Sequence, residues 1–198
     1  MSRVGWVVLG LILAVGTVFA MMTSFGGGHG TPRLRSTLLA SRSAESAPPP
    51  TGMLAVPVAG VARTAVADNY GDPRDGGARS HHGIDIMAAG GTPVVAAASG
   101  RVEKLFESHA GGTTIYVRSP DGRWSYYYAH LAGYAPGLHE GQQVRAGETI
   151  GRVGDSGNAG AGNYHLHFGL SRMADDDGWE GGRPVNPYPL LAGSAPRR

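Results

Sequence analysis

Asn163-Tyr164-His165-Leu166-His167-Phe168 sets two histidines one residue apart in an alternating run that continues through Gly169 and Leu170. Successive side chains of a β-strand point to opposite faces. The spacing therefore predicts that His165 and His167 look into one cleft while Leu166 and Phe168 pack into an apolar layer behind them. Neutral imidazole is a common metal ligand and the usual acid–base group near pH 7, so a same-face pair can supply one of each. A second cluster, Arg79-Ser80-His81-His82-Gly83-Ile84-Asp85-Ile86, offers a nitrogen and an oxygen ligand. Gly83 and the β-branched Ile84 and Ile86 disfavour a helix here. In extended chain the even separation puts His81 and Asp85 on one side, and a bend at Gly83 brings them to one ion. With one histidine of the His165/His167 pair this makes two nitrogens and one oxygen, with a fourth position left open as in a catalytic zinc site. Tyr126-Tyr127-Tyr128-Ala129-His130-Leu131 adds a further imidazole, on the strand face of Tyr126 and Tyr128. Histidines beside a metal that are not its ligands can accept a proton, give one to a leaving amine, or stabilise an oxyanion.

These side chains need strands beneath them, and the chain is patterned to provide them. Val56-Pro57-Val58 reads as a first short strand, and Gly71-Asp72-Pro73-Arg74-Asp75-Gly76-Gly77 as a long turn. Strands are expected at Pro93 to Ala98 and Gly100 to Phe106, then a hairpin of Thr113 to Ser119 and Trp124 to Leu131 about the turn Pro120-Asp121-Gly122. Gly141 to Val153 ends in another strand, and the glycine-rich loop Gly154 to Gly162 leads into the histidine strand. No stretch of the domain carries a long helical period. With 33 Gly and 13 Pro in 198 residues, the expectation is an all-β, turn-rich domain over residues 53–192 with a short tail, 193–198.

Composition narrows the chemistry further. All but Lys104 of the 17 basic residues are arginine, and 15 acids leave a formal charge of +2, too even and too scattered for a nucleic-acid footprint. Cysteine is absent, which removes thiolate zinc and leaves a metal only histidine and carboxylate. Ahead of the domain, Arg3 precedes the 19 uncharged residues Val4 to Met22, an export signal or membrane anchor spanning residues 1–22. Val18-Phe19-Ala20 has small residues suited to cleavage. Residues 23–52, rich in Gly, Ser, Ala and Pro, read as a tether, with His29 as a linker residue.

His81-X-X-X-Asp85, Tyr128-Ala129-His130-Leu131 and His165-Leu166-His167-Phe168, in that order, resemble the lysostaphin/LytM-type zinc endopeptidases of peptidoglycan. So do Gly91-Thr92-Pro93-Val94-Val95-Ala96-Ala97 and Gly141-X-X-Val144-X-Ala146-Gly147-Glu148-X-Ile150-Gly151, within a similarity running from about Val56 to Leu190. The resemblance implies a small β-sheet/barrel-sandwich hybrid, one zinc per chain on His81, Asp85 and His167, and His130 and His165 as catalytic partners. It implies peptidoglycan as substrate and an exported, periplasmic protein, held at the inner membrane if residues 4–22 are retained. Tyr164 stands where many relatives have proline, and Asp155-Ser156-Gly157-Asn158-Ala159 departs from their Ser-Thr-Gly loop. Both bear on substrate fit more than on metal. Asn69 lies upstream of His81, where some latent relatives place an asparagine on the zinc, but only a linker precedes the domain to support such a plug.

His82, His109 and His139 match no ligand position and read as surface or outer-layer residues. Arg79 suits either a substrate carboxylate or a neighbouring acid, and Tyr126 and Tyr128 either line the cleft or pack. Asp175-Asp176-Asp177-Gly178 reads as a solvated turn. Among rival readings, a non-haem iron triad usually carries His-X-Asp and has no need of His130 and His165. A lipoyl-type carrier needs a lysine at a hairpin tip, whereas Lys104 falls in a strand. The remaining alternative is a non-catalytic module of the same fold that binds wall or activates an amidase. Such proteins typically lack ligands that are all present here.

Overall fold

The computed structural model describes residues 52–193. The expected export segment, the tether with His29, and the residues after Gly193 lie outside the described residues. Among those described, no helix is long and apolar enough to cross a membrane.

Among the described residues the regular structure is almost all strand, joined by turns and loops, as the patterning predicts. A two-residue pair, β1 (Pro73–Arg74) and β2 (Arg79–Ser80), stands apart from one nine-stranded antiparallel sheet. That sheet comprises β3 (Ile84–Met87), β4 (Pro93–Val95), β5 (Gly100–Ser108), β6 (Gly112–Arg118), β7 (Trp124–Tyr134), β8 (Gln143–Val144), β9 (Thr149–Val153), β10 (His165–Arg172) and β11 (Arg183–Pro184). A single short helix, α1 (Tyr188–Ala192), closes the described chain. The expected hairpin is β6–β7. Its turn is tied by Ser119, whose hydroxyl donates to Asp121 Oδ1 at 2.6 Å and accepts the Trp124 N–H at 2.9 Å. Gly122 supplies the left-handed conformation there, at φ 74°.

β10 occupies the position that matters most, with neighbours on both sides. Its first half pairs with β3, setting His167 opposite Asp85 and His165 opposite Met87. It also pairs with β7, setting His167 opposite Ala129 and Phe168 opposite Tyr128. One face of these strands is dry: Ile84, Ile86, Tyr128, Leu166, Phe168 and Leu170 are all at most 2% exposed. Burying each such side chain stabilises the fold by about 1.5–3 kcal/mol, so a one-residue slip of β10 would expose several of them and turn the histidines inward.

The strand expected over Pro93 to Ala98 stops at Val95. A bulge between Val94 and Val95 takes the chain out of the ladder, and the next amides find other acceptors: Ala96 N–H donates to Glu148 O at 2.9 Å, and Ala97 N–H to the Tyr128 hydroxyl at 2.8 Å. Tyr128 is fully buried, so its hydroxyl replaces a missing strand partner inside the core. Substituting Tyr128→Phe leaves the Ala97 N–H unpaired in a dry place, a loss of about 1–3 kcal/mol. Chemical denaturation is expected to show that loss with an unchanged m-value, and a wild-type midpoint would contradict it.

Candidate functional site

Three side chains converge on one point. His81 Nε2 lies 3.0 Å from His167 Nδ1 and 3.0 Å from Asp85 Oδ1, and His167 Nδ1 lies 3.0 Å from the same Asp85 oxygen. Gly83 makes the bend that sequence reasoning required. An added Cβ there would stand 2.7 Å from the His167 ring and 2.8 Å from Phe168 O, so the imidazole lies directly on the glycine backbone. His81 is fixed from behind, with Nδ1 2.7 Å from Asn69 O. Since a carbonyl can only accept, Nδ1 carries a proton, and in the neutral ring Nε2 presents a lone pair.

That assignment makes the triangle short of protons. His81 Nε2 is an acceptor, both Asp85 oxygens are acceptors, and His167 Nδ1 has at most one proton for two neighbours. A cation relieves this arrangement. The donor set of two imidazoles and one carboxylate suits zinc, whose tetrahedral ligand atoms sit about 3.3 Å apart, so the triangle needs to open by only a few tenths of an ångström. Among the described residues this is the cluster of His, Asp and Glu able to hold a metal. Burial alone would raise the Asp85 carboxyl, but the His167 and His81 rings against it outweigh burial and hold the group well below the usual carboxylate range. Burial pushes His167 down, toward the neutral form a ligand needs.

Two more imidazoles flank the triangle. His165 Nδ1 is 2.8 Å from Asn163 O, and His130 Nδ1 is 2.8 Å from Ser156 O. The same carbonyl argument gives both rings a proton on Nδ1 and a lone pair on Nε2. His165 Nε2 comes within 3.9 Å of Asp85 Oδ1, and the His130 and His165 ring centres are 4.8 Å apart. Burial, more than the neighbouring imidazoles, pushes His130 down to about 4 despite its bond to Ser156 O. All of the histidines singled out by spacing thus line one cleft of about 350 Å³ with Asp85, Arg74 and Arg79.

The strand face assigned to His130 is corrected by the structure. Tyr126 and Tyr128 are 3% and 0% exposed and pack in the core, whereas Tyr127 and Ala129 line the cleft. Alternation breaks just before His130. Between Thr113↔Leu131 and Ile115↔Tyr128, β7 runs three residues against two in β6, a bulge that re-aims the following side chain. His130 absorbs it with φ 61°, the sole non-glycine positive φ among the described residues. Its N–H is still satisfied, by Gly111 O at 2.8 Å.

Several working residues carry no signal in their own motifs. Asn69 binds the backbone of Asp85 through its amide, accepting from Asp85 N–H at 3.0 Å and donating to Asp85 O at 3.3 Å. Its side chain is therefore spent on positioning rather than on the metal point. Ser156, in the loop that departs from the lysostaphin-type pattern, accepts Thr113 N–H at 3.1 Å, donates to Leu131 O at 2.7 Å and orients His130. Tyr164, 42% exposed, lies against Gly90. His82 borders the cleft, and His109 and His139 are exposed. Asp177 caps its own turn by accepting Ala174 N–H at 2.7 Å.

Known proteins resemble the chain over the region that carries this cluster. The model of peptidase family M23 matches residues 79–187. The L-Ala–D-Glu endopeptidase of Bacillus subtilis is 38% identical over 128 residues, 62% of this chain and 38% of that protein. The chain thus spans well under two thirds of that relative's length. The solved catalytic domain of lysostaphin from Staphylococcus simulans superposes with a TM-score of 0.51 at 31% identity, over 63% of this chain and 90% of that domain. A putative glycyl-glycine endopeptidase LytM from Ruminococcus gnavus gives a TM-score of 0.54 at 36% identity, over 65% of this chain and 53% of that one.

Two outcomes follow from the packing and the burial. Gly83→Ala should force both the His167 ring and the Phe168 carbonyl off their positions, lowering Tm in chelator and weakening any metal binding at the triangle roughly 10- to 100-fold by chelator competition. Because His130 is kept neutral, the unfolded chain takes up its proton first. The stability it contributes is whole above about pH 6.5 and is lost as pH falls toward about 4. In chelated protein, urea titrations between those values should show His130→Asn lowering the pH slope of stability by up to about 1.4 kcal/mol per pH unit. Equal slopes would refute a neutral His130.

Proposed function

Because the chain belongs to peptidase family M23, we propose that it is a zinc endopeptidase that hydrolyses peptide bonds of peptidoglycan, in cross-links or stem peptides. The observation that carries this reading is the proton-poor triangle of His81 Nε2, Asp85 Oδ1 and His167 Nδ1, with two further imidazoles at its edge. These three residues hold the metal, one zinc per chain. Zinc so held supplies Lewis acidity, polarising a carbonyl and making a water more acidic.

The chain's own groups do the rest. His165 takes the attacking water's proton at Nε2. Its Nδ1–H is anchored on Asn163 O, and its Nε2 lies 3.9 Å from Asp85 Oδ1. The proton gained at Nε2 is then given to the departing amine, which returns His165 to its neutral form. His130, kept neutral by burial, offers its Nε2 lone pair to a water or substrate N–H and so orients the reactants. Tyr127 closes one wall, its ring 5.9 Å from that of His167. The polymer lies outside the cytoplasmic membrane, so the reading includes export through residues 1–22, with periplasmic location and inner-membrane anchoring where that segment is kept.

The alternative of a non-catalytic wall-binding or amidase-activating module is separated by one experiment. Metal content and release of soluble muropeptides from purified sacculi are measured for wild type, His167→Ala and His165→Ala. Expected are one zinc per wild-type chain and cleavage, zinc lost in His167→Ala, and zinc retained with a roughly 10²–10⁴-fold slower rate in His165→Ala. Zinc-loaded wild type that binds sacculi and cuts nothing would favour the alternative. Iron in place of zinc would favour the oxygenase-type site.

A further inference from the structure

Asp85 uses its two oxygens differently. Oδ1 faces His81 and His167 at 3.0 Å each, while Oδ2 accepts a hydrogen bond from Arg74 Nη2 at 2.5 Å. Arg74 reaches this oxygen from outside the main sheet. It sits on β1, held opposite Arg79 of β2, and β2 runs directly into His81. The arginine and two of the three candidate ligands are therefore carried by one continuous stretch, and the guanidinium is set by the same hairpin that sets His81. The carboxylate backbone is also pinned, by the Asn69 amide on Asp85 N–H and C=O. The carboxylate is thus held at its root and at its far oxygen, with one oxygen left to face the metal point.

Carboxylates ligate metals through one oxygen or two. A two-oxygen grip would fill a coordination position that a hydrolytic site must keep free for reactants. The geometry points to Arg74 as a positioning residue that restrains Asp85 to one-oxygen ligation and so keeps the catalytic position open. This rests on the zinc reading above. An exposed ion pair stabilises a fold by little, about 0–1 kcal/mol, but this one ends on a carboxylate only 16% exposed. Hydrogen bonds to the outer atoms of ligands tune metal affinity by about 10- to 100-fold. Arg74 also borders the cleft on one side and a second cavity of about 700 Å³ on the other, which shares Asp85, Asn163 and His165 with it.

The test compares full-length wild type, Arg74→Met and Arg74→Lys. Zinc affinity is measured by chelator competition, the number of zinc–oxygen bonds by X-ray absorption, and the visible spectrum after cobalt substitution reports coordination number independently. Arg74→Met is expected to gain one protein oxygen at the metal, shift cobalt toward the weaker bands of higher coordination, change zinc affinity 10- to 100-fold and lose turnover. Arg74→Lys, which keeps a donor, should restore the wild-type spectrum in large part. An unchanged oxygen count and cobalt spectrum in Arg74→Met overturns the proposal whatever its activity. Wild type that takes up no zinc overturns the functional reading beneath it, and the two failures are told apart because the second appears in wild type.

Discussion

Three atoms that would each accept a hydrogen bond stand 3.0 Å from one another with at most one proton among them. Such a cluster is unfavourable by itself, and much of the surrounding architecture can be understood as holding it together. The sheet supplies the force. β10 cannot shift relative to β3 without moving Leu166 and Phe168 out of the core, and the register that buries them puts His167 across from Asp85. Hydrophobic burial, which is non-directional, thereby fixes a directional site. A cation that bound the folded chain alone would return stability to it.

A second layer of order sits around the first and is made of main chain. Asn69 O, Asn163 O and Ser156 O each accept an Nδ1–H, from His81, His165 and His130. All three carbonyls lie outside the regular strands that carry the sheet. A carbonyl is suited to this task because it has no alternative protonation state, so the tautomer of the ring is settled whatever the pH. The use of loops is equally physical: a strand carbonyl is already committed to its ladder, whereas loop backbone must find partners and can be aimed at a ring. The glycine-rich segment before β10 is shaped to come this close. Gly157 and Gly112 approach backbone to backbone, and an added Cβ on either would meet main-chain atoms at 2.5 Å or less.

Residue type and parity made part of this legible. His165 and His167 share a face, Leu166 and Phe168 share the other, and the bend at Gly83 joins His81 to Asp85, all of which depend on local geometry alone. What could not be read depends on tertiary placement. Strand parity assigned His130 to the face of Tyr126 and Tyr128, and a single inserted residue in β7 reversed it, because a bulge is defined by the partner strand rather than by its own sequence. Asn69, Arg74 and Ser156 lie 16, 11 and 26 residues from the groups they serve. Neither their types nor their neighbours announce the connection. Tyr128 is the instructive intermediate: an aromatic in a strand is expected to pack, and it does, yet its hydroxyl is what allows the chain to leave the ladder at Ala97.

Strain at His130 ties these layers to function. A left-handed backbone costs a non-glycine residue about 1–2 kcal/mol, and glycine would remove that cost while removing the imidazole. The chain keeps histidine and surrounds it with compensation: the N–H on Gly111 O, the ring on Ser156 O, and the hydroxyl of Ser156 on Leu131 O. Those bonds also hold the neutral ring beside the His81–Asp85–His167 cluster, its centre 5.9 Å from that of His167. The bulge that defeats a parity argument is thus the feature that turns a core-facing position into a cleft-facing one. A regular strand through residues 126–131 would place Tyr128 and the residue at 130 on the same side, leaving either a tyrosine in the cleft or a histidine in the core.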